Sequence, residues 1–333
     1  MKLIIILSIL IVLISLNILQ HSCLTEDFAL KRLCKDNKKY CEKHNITLDN
    51  KNKIIFKNDS PASYKDINNP LTNYTCVNKD ITSSLLKNNN ISVPNYYLWD
   101  ASSTPSYNLQ KINNLLHFPL VVKPTIGTQG YGIKTNIYNN EDLFQHISHL
   151  LKNIKKNNNI IIEEQITGND YRITVFKGEI MGIVQRNNPT VIGDGSSSLK
   201  SLINKHKHSK YKPHNIDNLL LSKQNVNMNT IIPNNKKIRL STISNFHNGA
   251  TISNVPLNTV HPDNLQMFKR VNQLLDKNIS GIDFISNNLS IPFYQQGAVI
   301  EVNGRPDIVI HTYTFNKREN EQYIDSLIEK LFN

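Results

Sequence analysis

The segment "DYRITVFKGEIMGIVQR", Asp170 to Arg186, constrains the architecture more than any other stretch of this chain. Two apolar runs meet at Lys177-Gly178, and a tight turn of that kind joins antiparallel strands into a hairpin. Other short apolar runs read as strands: "HFPLVVKP", stopped by Pro124, then "IKTNIY", "NIIIEEQI", "SGIDFIS" and "GAVIEVN". Between them lie amphipathic helices. "NEDLFQHISHLLKNIKK" carries Leu143, Phe144, Ile147, Leu150 and Leu151 as its apolar face, and "NLQMFKRVNQLLDKN" is a second such helix. "KDITSSLLKNNNISVP" reads as a short helix, a turn and an extended entry into Pro94, and a last helix closes the chain. Residues 196–240 are polar, basic and poor in pattern apart from a helix near "SLKSLINKH". Strands mixed with helices and joined by hairpins give an α+β class, not a doubly wound sheet.

The chain begins with "MKLIIILSILIVLISLNILQHSC", whose apolar run extends from Leu3 to Leu19. That length is at the short edge of a membrane span and long for a signal-peptide core, and "LQHS" lacks the small-residue spacing of a cleavage site. The reading is an uncleaved single-pass membrane anchor in residues 1–21; a signal segment leading to a secreted or luminal protein is the alternative. Orientation stays open, because Lys2 precedes the run while Lys31, Arg32 and Lys35 follow it. Residues 22–76 form a polar region with one or two short helices and no clear core, and residues 77–333 form the main domain. All four cysteines, Cys23, Cys34, Cys41 and Cys76, lie in the first quarter. Cys34 and Cys41 suit one face of a helix, as a luminal disulfide pair or, more weakly, a zinc site with His44. The sequons at Asn45 and Asn73 carry no weight in a chain so rich in asparagine. The formal charge is +12, which suits phosphates, nucleic acid or anionic lipid, or serves solubility alone. No nucleic-acid motif accompanies it, so nucleic acid is not an expected partner.

Chemistry concentrates in four places. In "AVIEVNGRPD", Glu301 and Asn303 alternate with Ile300 and Val302, so the acid and the amide share one face of a strand. Two oxygen donors on one face suit a hard cation such as Mg²⁺; a solvated edge face is the plainer explanation. Asp283, in "GIDFI", is a second acid in a strand apolar enough to be buried. Buried neighbouring carboxylates repel unless a cation sits between them. Lys123 ends a strand and is followed by Gly127, Gly130 and Gly132 before the next strand. Glycines let backbone N–H groups approach phosphates and the lysine adds charge, although a hairpin tip would look similar. No G-K-[ST] and no helix follows, which excludes a Walker A loop and a Rossmann turn. Finally, "IIIEEQITGND" runs from a buried strand into polar residues, with Asp170 seven after Glu163. "HKHSKYKPH" is irregular in spacing and reads as a solvated basic loop, not a metal site.

In this order the pieces resemble the ATP-grasp superfamily, and within it the ATP-grasp domain of cyanophycin synthetase and the glutathione-synthetase-type ligases. The resemblance runs from about Val77 to His311 through "NKDITSSLLKNNNISVP", "FPLVVKPTIGTQGYGI", "IIEEQITGNDYRITVFKGEIMGIVQR", "VIGDGSSSLKSLI", "NGATISNVPLNTVHPDN", "GIDFIS" and "GAVIEVNGRPDIVIH". It implies ATP held between two α+β subdomains. Lys79 and Lys123 would hold phosphates, and Gly127, Gly130 and Gly132 would form a lid loop. Glu163, with the backbone of Glu164, Gln165 and Ile166, would read adenine, and Asp170 would bind ribose. Arg186 would stabilise the transferred phosphoryl group, with Arg172 lining the same site. Asp283, Glu301 and Asn303 would hold two Mg²⁺ ions, with Mn²⁺ as a substitute.

The implied activity is amide-bond formation between a carboxylate and an amine, drawn from amino acids or small peptides, through an acyl-phosphate. Two alternatives stand beside it: a ligase adding amino acids to a protein or carrier, and a membrane-tethered ATP-binding protein without turnover. The sequence departs from the family on the acceptor side. Asp307 and Ala250 stand where glycine is usual, while Asn245 and Gly249 are kept. No Mur-ligase-like half is present in these 333 residues, and cyanophycin synthesis is not expected.

Overall fold

The computed structural model describes residues 38–43, 45–49, 54–57, 60–62, 70–127, 130–154, 158–205 and 211–332. The expected anchor, Cys23, Cys34, His44 and most of the histidine-rich loop lie outside these residues. Among the described residues no helix is long and apolar enough to cross a membrane.

In chain order, α1 (Lys38–Lys43) precedes a three-stranded antiparallel sheet of β1 (Ile46–Asp49), β2 (Ile54–Lys57) and β3 (Ser60–Ala62). Then come α2 (Pro70–Val77) and α3 (Lys79–Asn88). A four-stranded sheet ordered β4-β7-β5-β6 follows, from β4 (Tyr96–Leu98), β5 (Leu120–Pro124), β6 (Lys134–Ile137) and β7 (Ile160–Glu164). Its helices are α4 (Pro105–Leu115) and α5 (Asn140–Asn153). Together they bury Trp99, Ile112, Leu120, Val122, Leu143, Ile147, Leu150 and Ile162 in one core. Only a narrow stripe of α5 is covered: Leu143, Ile147 and Leu150 are buried, whereas Phe144 and Leu151 remain 40% and 44% exposed. The apolar face expected for this helix is therefore too wide by two residues.

The larger sheet runs β12-β9-β8-β13-β14 and is antiparallel throughout. Its strands are β8 (Asn169–Phe176), β9 (Glu179–Asn187), β12 (Thr251–Asn254), β13 (Ile279–Ser286) and β14 (Ala298–Asn303). The β8–β9 hairpin turns where expected, with φ of 47° at Lys177 and 75° at Gly178. Two successive positive φ values match the twist of the flanking strands, and glycine takes one of them without a Cβ clash.

The alternation of side chains gives this sheet two unlike faces. Tyr171, Ile173, Val175, Ile183, Ile282, Phe284 and Val302 pack beneath Leu86 of α3 and Met267, Phe268 and Val271 of α8 (Pro262–Leu274). The opposite face carries Asp170, Arg172, Arg186, Asp283 and Glu301, since Asp170 pairs with Arg186, Arg172 with Asp283 and Asp283 with Glu301 across the ladders. At its far end this face turns apolar, and Phe176 and Ile279 are covered by α9 (Lys317–Phe332).

Two segments read as polar and poor in pattern, apart from short helices, contribute apolar residues to cores. Cys41 and Ile46 join the core under α9, so the polar N-terminal region has apolar anchors. The boundary placed at residue 76/77 falls at the end of α2, whose Cys76 packs in the same core as Leu86. Residues 190–205 and 211–240 form a small unit of β10 (Thr190–Ile192), α6 (Leu199–Asn204), α7 (Asn218–Lys223) and β11 (Lys237–Arg239). It encloses Val191, Leu199, Leu221, Ile238 and Leu240.

Candidate functional site

The charged face of the large sheet and the end of the small sheet meet at two lysines. Lys123 is the fourth residue of β5, and its side chain leaves the strand toward β14. Its Nζ lies 2.8 Å from Glu163 Oε2 on the neighbouring strand β7 and donates to the Ile300 carbonyl at 3.2 Å. Lys79 is the first residue of α3, fixed by a bond from its backbone N–H to the Thr125 carbonyl. Its Nζ donates to the Gly127 carbonyl at 2.9 Å and lies 3.2 Å from Glu301 Oε1. Both lysines are buried, at 6% and 5% exposure. They line one shallow cleft with Gly127, Gly130, Tyr131 and Glu301.

The three glycines of the loop are there for different reasons. Gly130 and Gly132 adopt φ of 78° and 70°, and a Cβ on Gly132 would come within 2.9 Å of Pro124 and 3.0 Å of Leu150. Their glycine identity follows from the turn itself. Gly127 has ordinary φ, and a Cβ there would make only ordinary van der Waals contacts, 3.8 Å from the Tyr131 carbonyl oxygen and 3.9 Å from the Pro124 Cβ. Its part in the cleft is the carbonyl that Lys79 holds.

A second constellation lies on the same face. Arg172 donates to both oxygens of Asp283, from Nε at 2.5 Å and from Nη2 at 3.2 Å. Arg186 donates to Asp170 Oδ1 at 2.6 Å and 3.1 Å, and its Nη2 also lies 3.2 Å from Asp283. Burial alone would lift the Asp283 carboxyl, but Arg172 and Arg186 outweigh it and hold the group below the usual carboxylate range. Asp170 sits above that range, because burial dominates and the Asp283 charge adds to it against the pull of Arg186. These four groups carry no net charge as a set. The cation required between neighbouring acids is thus present as guanidinium groups, with the Lys79 ammonium at Glu301.

The expected donors divide accordingly. Both Asp283 oxygens face arginines. Glu301 has one lysine contact, and the Asn303 side chain has no hydrogen-bond partner among the described residues. Among the described residues no group of three or more His, Cys, Asp or Glu side chains is arranged to hold a metal ion. Glu301 and Asn303, two oxygen donors on one strand face beside the cleft that Lys79 and Lys123 line, fit Mg²⁺ in donor chemistry.

In the strand exit, Glu163 is 3% exposed and bound to Lys123, so its carboxylate orients that lysine. Glu164 accepts from Asn95 and from both the backbone and the ring of His117. Burial would raise its carboxyl, but these donors prevail and lower it. The backbone N–H of Glu164 donates to Asn95 and that of Gln165 to Pro119. The Gln165 side chain is tied to Asn136 on β6. Ile166 alone of these three makes no hydrogen bond among the described residues. Asp170, expected at a ribose, is occupied with Arg186.

The two departures expected on the acceptor side, Asp307 and Ala250, each contact the turn at residues 245–249. Asn245 caps a short 3₁₀ turn by accepting from the His247 N–H at 2.9 Å, and Gly249 ends it with φ of 83°. His247 Nε2 reaches within 3.7 Å of Asp307 Oδ2, and its ring lies 4.8 Å from that of Tyr211. Ala250 is fully buried. The residue that sequence reasoning missed is Arg305, which is 8% exposed, with its Nη1 buried and without a partner among the described residues. Its signal was the arginine inside "VNGRPD" itself.

The chain is similar to known proteins in sequence and in fold. Residues 85–200 match the family described as D-ala D-ala ligase C-terminus. The cyanophycin synthetase of Synechocystis sp. is 26% identical over 215 residues, covering 61% of this chain and 24% of that protein. The glutathione biosynthesis bifunctional protein GshAB of Clostridium perfringens is 25% identical over 303 residues, covering 86% of this chain and 38% of its own length. The crystal structure of a bifunctional glutathione synthetase from Pasteurella multocida superposes with a TM-score of 0.55 at 19% identity, over 86% of this chain and 42% of that one. This chain therefore spans well under half the length of these relatives.

Proposed function

From the premise that the chain has the α+β ATP-grasp fold, we propose that it is an ATP- and Mg²⁺-dependent carboxylate–amine ligase acting through an acyl-phosphate. The observation that carries this reading is the convergence of two buried lysines, from α3 and β5, on one cleft beside the glycine loop and Glu301. Buried ammonium groups are costly unless they meet anions, and here they meet acids held in reach of a loop with exposed backbone.

In the proposed reaction Lys79 and Lys123 take the phosphates of ATP by charge-assisted bonds. Glu163 keeps Lys123 aimed, and the open backbone of Ile166 faces the base. Glu301 and Asn303 would hold Mg²⁺, with Asp283, itself gripped by Arg172 and Arg186, across the ladder; the ion would supply charge neutralisation at the phosphoryl oxygens. The substrate carboxylate attacks the γ-phosphorus and ADP leaves, giving an acyl-phosphate. Arg186 and Arg172, drawn to this end of the sheet by Asp170 and Asp283, stabilise the negative charge that builds during transfer. An amine then attacks the acyl carbon, loses a proton, and expels inorganic phosphate. Amino acids or small peptides supply both partners in this reading. The Leu3–Leu19 run holds the enzyme at a membrane.

The test is ATP-dependent phosphate release with pooled amino acids and dipeptides, with new amides identified by mass spectrometry. Turnover should require Mg²⁺ and should be lost in Glu301→Gln, with the fold intact. ATP binding without any amide product would favour a non-catalytic nucleotide-binding protein; Glu301→Gln turning over ATP at the wild-type rate would remove the metal assignment.

A further inference from the structure

We propose that Arg305 is a carboxylate-recognition residue, binding the acid group of the substrate that this site activates. The proposal rests on the ligase reading above and names the group that recognises its substrate. Every other buried cation of the site has an acid within reach: Lys79 has Glu301, Lys123 has Glu163, Arg172 has Asp283, and Arg186 has Asp170. Arg305 has none. It is more than nine-tenths buried, and among the described residues its Nη1 has no hydrogen-bond partner and no carboxylate lies within ion-pair distance. The nearest acid in sequence, Asp307, is turned to the Val309 N–H at 3.1 Å and to His247.

A lysine or histidine in such a place would relieve the cost by losing its proton. A guanidinium keeps its charge at any pH a protein meets. A buried, unpaired, permanently charged group is unfavourable, and it is expected only where a ligand supplies the missing anion. The fork of N–H donors fits planar carboxylates and phosphates in two-point contact. Position decides between them. The phosphate-sized cations, Lys79 and Lys123, sit with the glycine loop, whereas Arg305 lies beyond the end of β14, two residues past Asn303. There Pro306 packs against Gly281, a Cβ on which would come within 2.6 Å of the Pro306 Cβ. Through Asp307 and His247 the same segment touches the acceptor-side turn. An anion at Arg305 therefore stands between the nucleotide end and the acceptor end, which is where the reacting carboxylate belongs.

The experiment is calorimetry on the full chain saturated with Mg-AMP-PNP. The titrants are glycine, L-glutamate, L-aspartate and glycylglycine, each beside its carboxamide analogue. Wild type should bind at least one acid and reject its amide. Arg305→Gln should weaken that acid about tenfold or more, as expected for a charged hydrogen bond, and Arg305→Lys should recover part of the loss. AMP-PNP affinity should stay within about twofold in both variants. Arg305→Met, read by melting temperature without ligand, should be at least as stable as wild type, since it removes an uncompensated charge. Equal acid binding in Arg305→Gln, equal loss of AMP-PNP and acid, no acid bound by wild type at about 20 mM, or a marked fall in melting temperature in Arg305→Met would each overturn the proposal. If AMP-PNP fails to bind while acid binding still depends on Arg305, the ligase reading falls and the anion site stands.

Discussion

Replacing Asp283 with asparagine should unfold this protein far more readily than its size suggests. The side chains are nearly isosteric, so the change is one of charge. Asp283 accepts two bonds from Arg172 and lies 3.2 Å from Arg186. In the variant Arg186 keeps Asp170, but Arg172 loses its acid partner while remaining buried. Breaking a buried pair by removing one member costs about 3–5 kcal/mol. That is a large share of the ~5–15 kcal/mol that holds an ordinary domain together. The effect should also depend on pH. The native Asp283 carboxyl titrates below the unfolded one, so its stabilisation is full above the ordinary carboxylate range and disappears as pH falls through the depressed native value. Urea denaturation followed by far-UV circular dichroism gives the midpoint and its slope. At pH 7 the midpoint should fall sharply with the slope unchanged, and Asp283→Asn should differ little from wild type in strong acid. Pairing the change with Arg172→Gln removes the stranded guanidinium and should recover most of the loss, a coupling that a double-mutant cycle measures directly. A single-variant loss below about 1 kcal/mol, or a double variant worse than the sum of its parts, would refute the reasoning.

Lys123→Ala should weaken ATP binding and also destabilise the fold, because Glu163 is left buried without its cation. Adding Glu163→Gln should restore the melting temperature but not the ATP dissociation constant, and a double variant that regains both would show that Lys123 has no contact with the nucleotide. His311 is fully buried, bonded through Nε2 to Thr174 at 2.8 Å, and burial with the nearby Arg172 charge brings its pKa down to about 3. Above about pH 6.5 it is neutral in both states; below that only the unfolded chain takes the proton, so stability should fall by about 1.4 kcal/mol per pH unit, a slope that His311→Gln should flatten. The Leu3–Leu19 run should keep the full-length protein in the membrane fraction after a carbonate wash, whereas a mature N-terminus beyond residue 20 would identify a signal peptide.

The fold was legible where its cause is local. The Lys177-Gly178 turn sets the β8–β9 hairpin by two backbone angles, and the strands beside it read directly as apolar runs. Elements whose cause is distant were read only in part, as with the helix near "SLKSLINKH" in a segment otherwise without pattern. The unit within residues 190–240 is polar on most of its surface, and its core draws on Val191, Leu199, Leu221 and Ile238, too scattered to form a periodic stripe. The width of the α5 face failed for a related reason. Phe144 and Leu151 are apolar, but nothing among the described elements covers them, and apolar surface does not by itself bring a partner.

At the site, alternation along β14 and the acid in β13 were enough to show that a cation must stand near Glu301 and Asp283. Alternation says nothing about whose cation it is. Arg172 lies 111 residues before Asp283 and meets it only because β8 and β13 are neighbours in the sheet. In this state each acid is satisfied from within the protein, and the division between them carries a consequence for the proposed reaction. Asp283 is gripped by two guanidinium groups that cannot lose their charge, so it is a fixed part of the face. Glu301 is held by one flexible lysine at 3.2 Å and is 27% exposed, so its pairing is the one that exchanges readily. A phosphate arriving at Lys79 takes the partner of Glu301 and leaves a carboxylate in need of a cation beside the open amide of Asn303. On that argument nucleotide and Mg²⁺ bind as a unit, each supplying the charge that the other displaces.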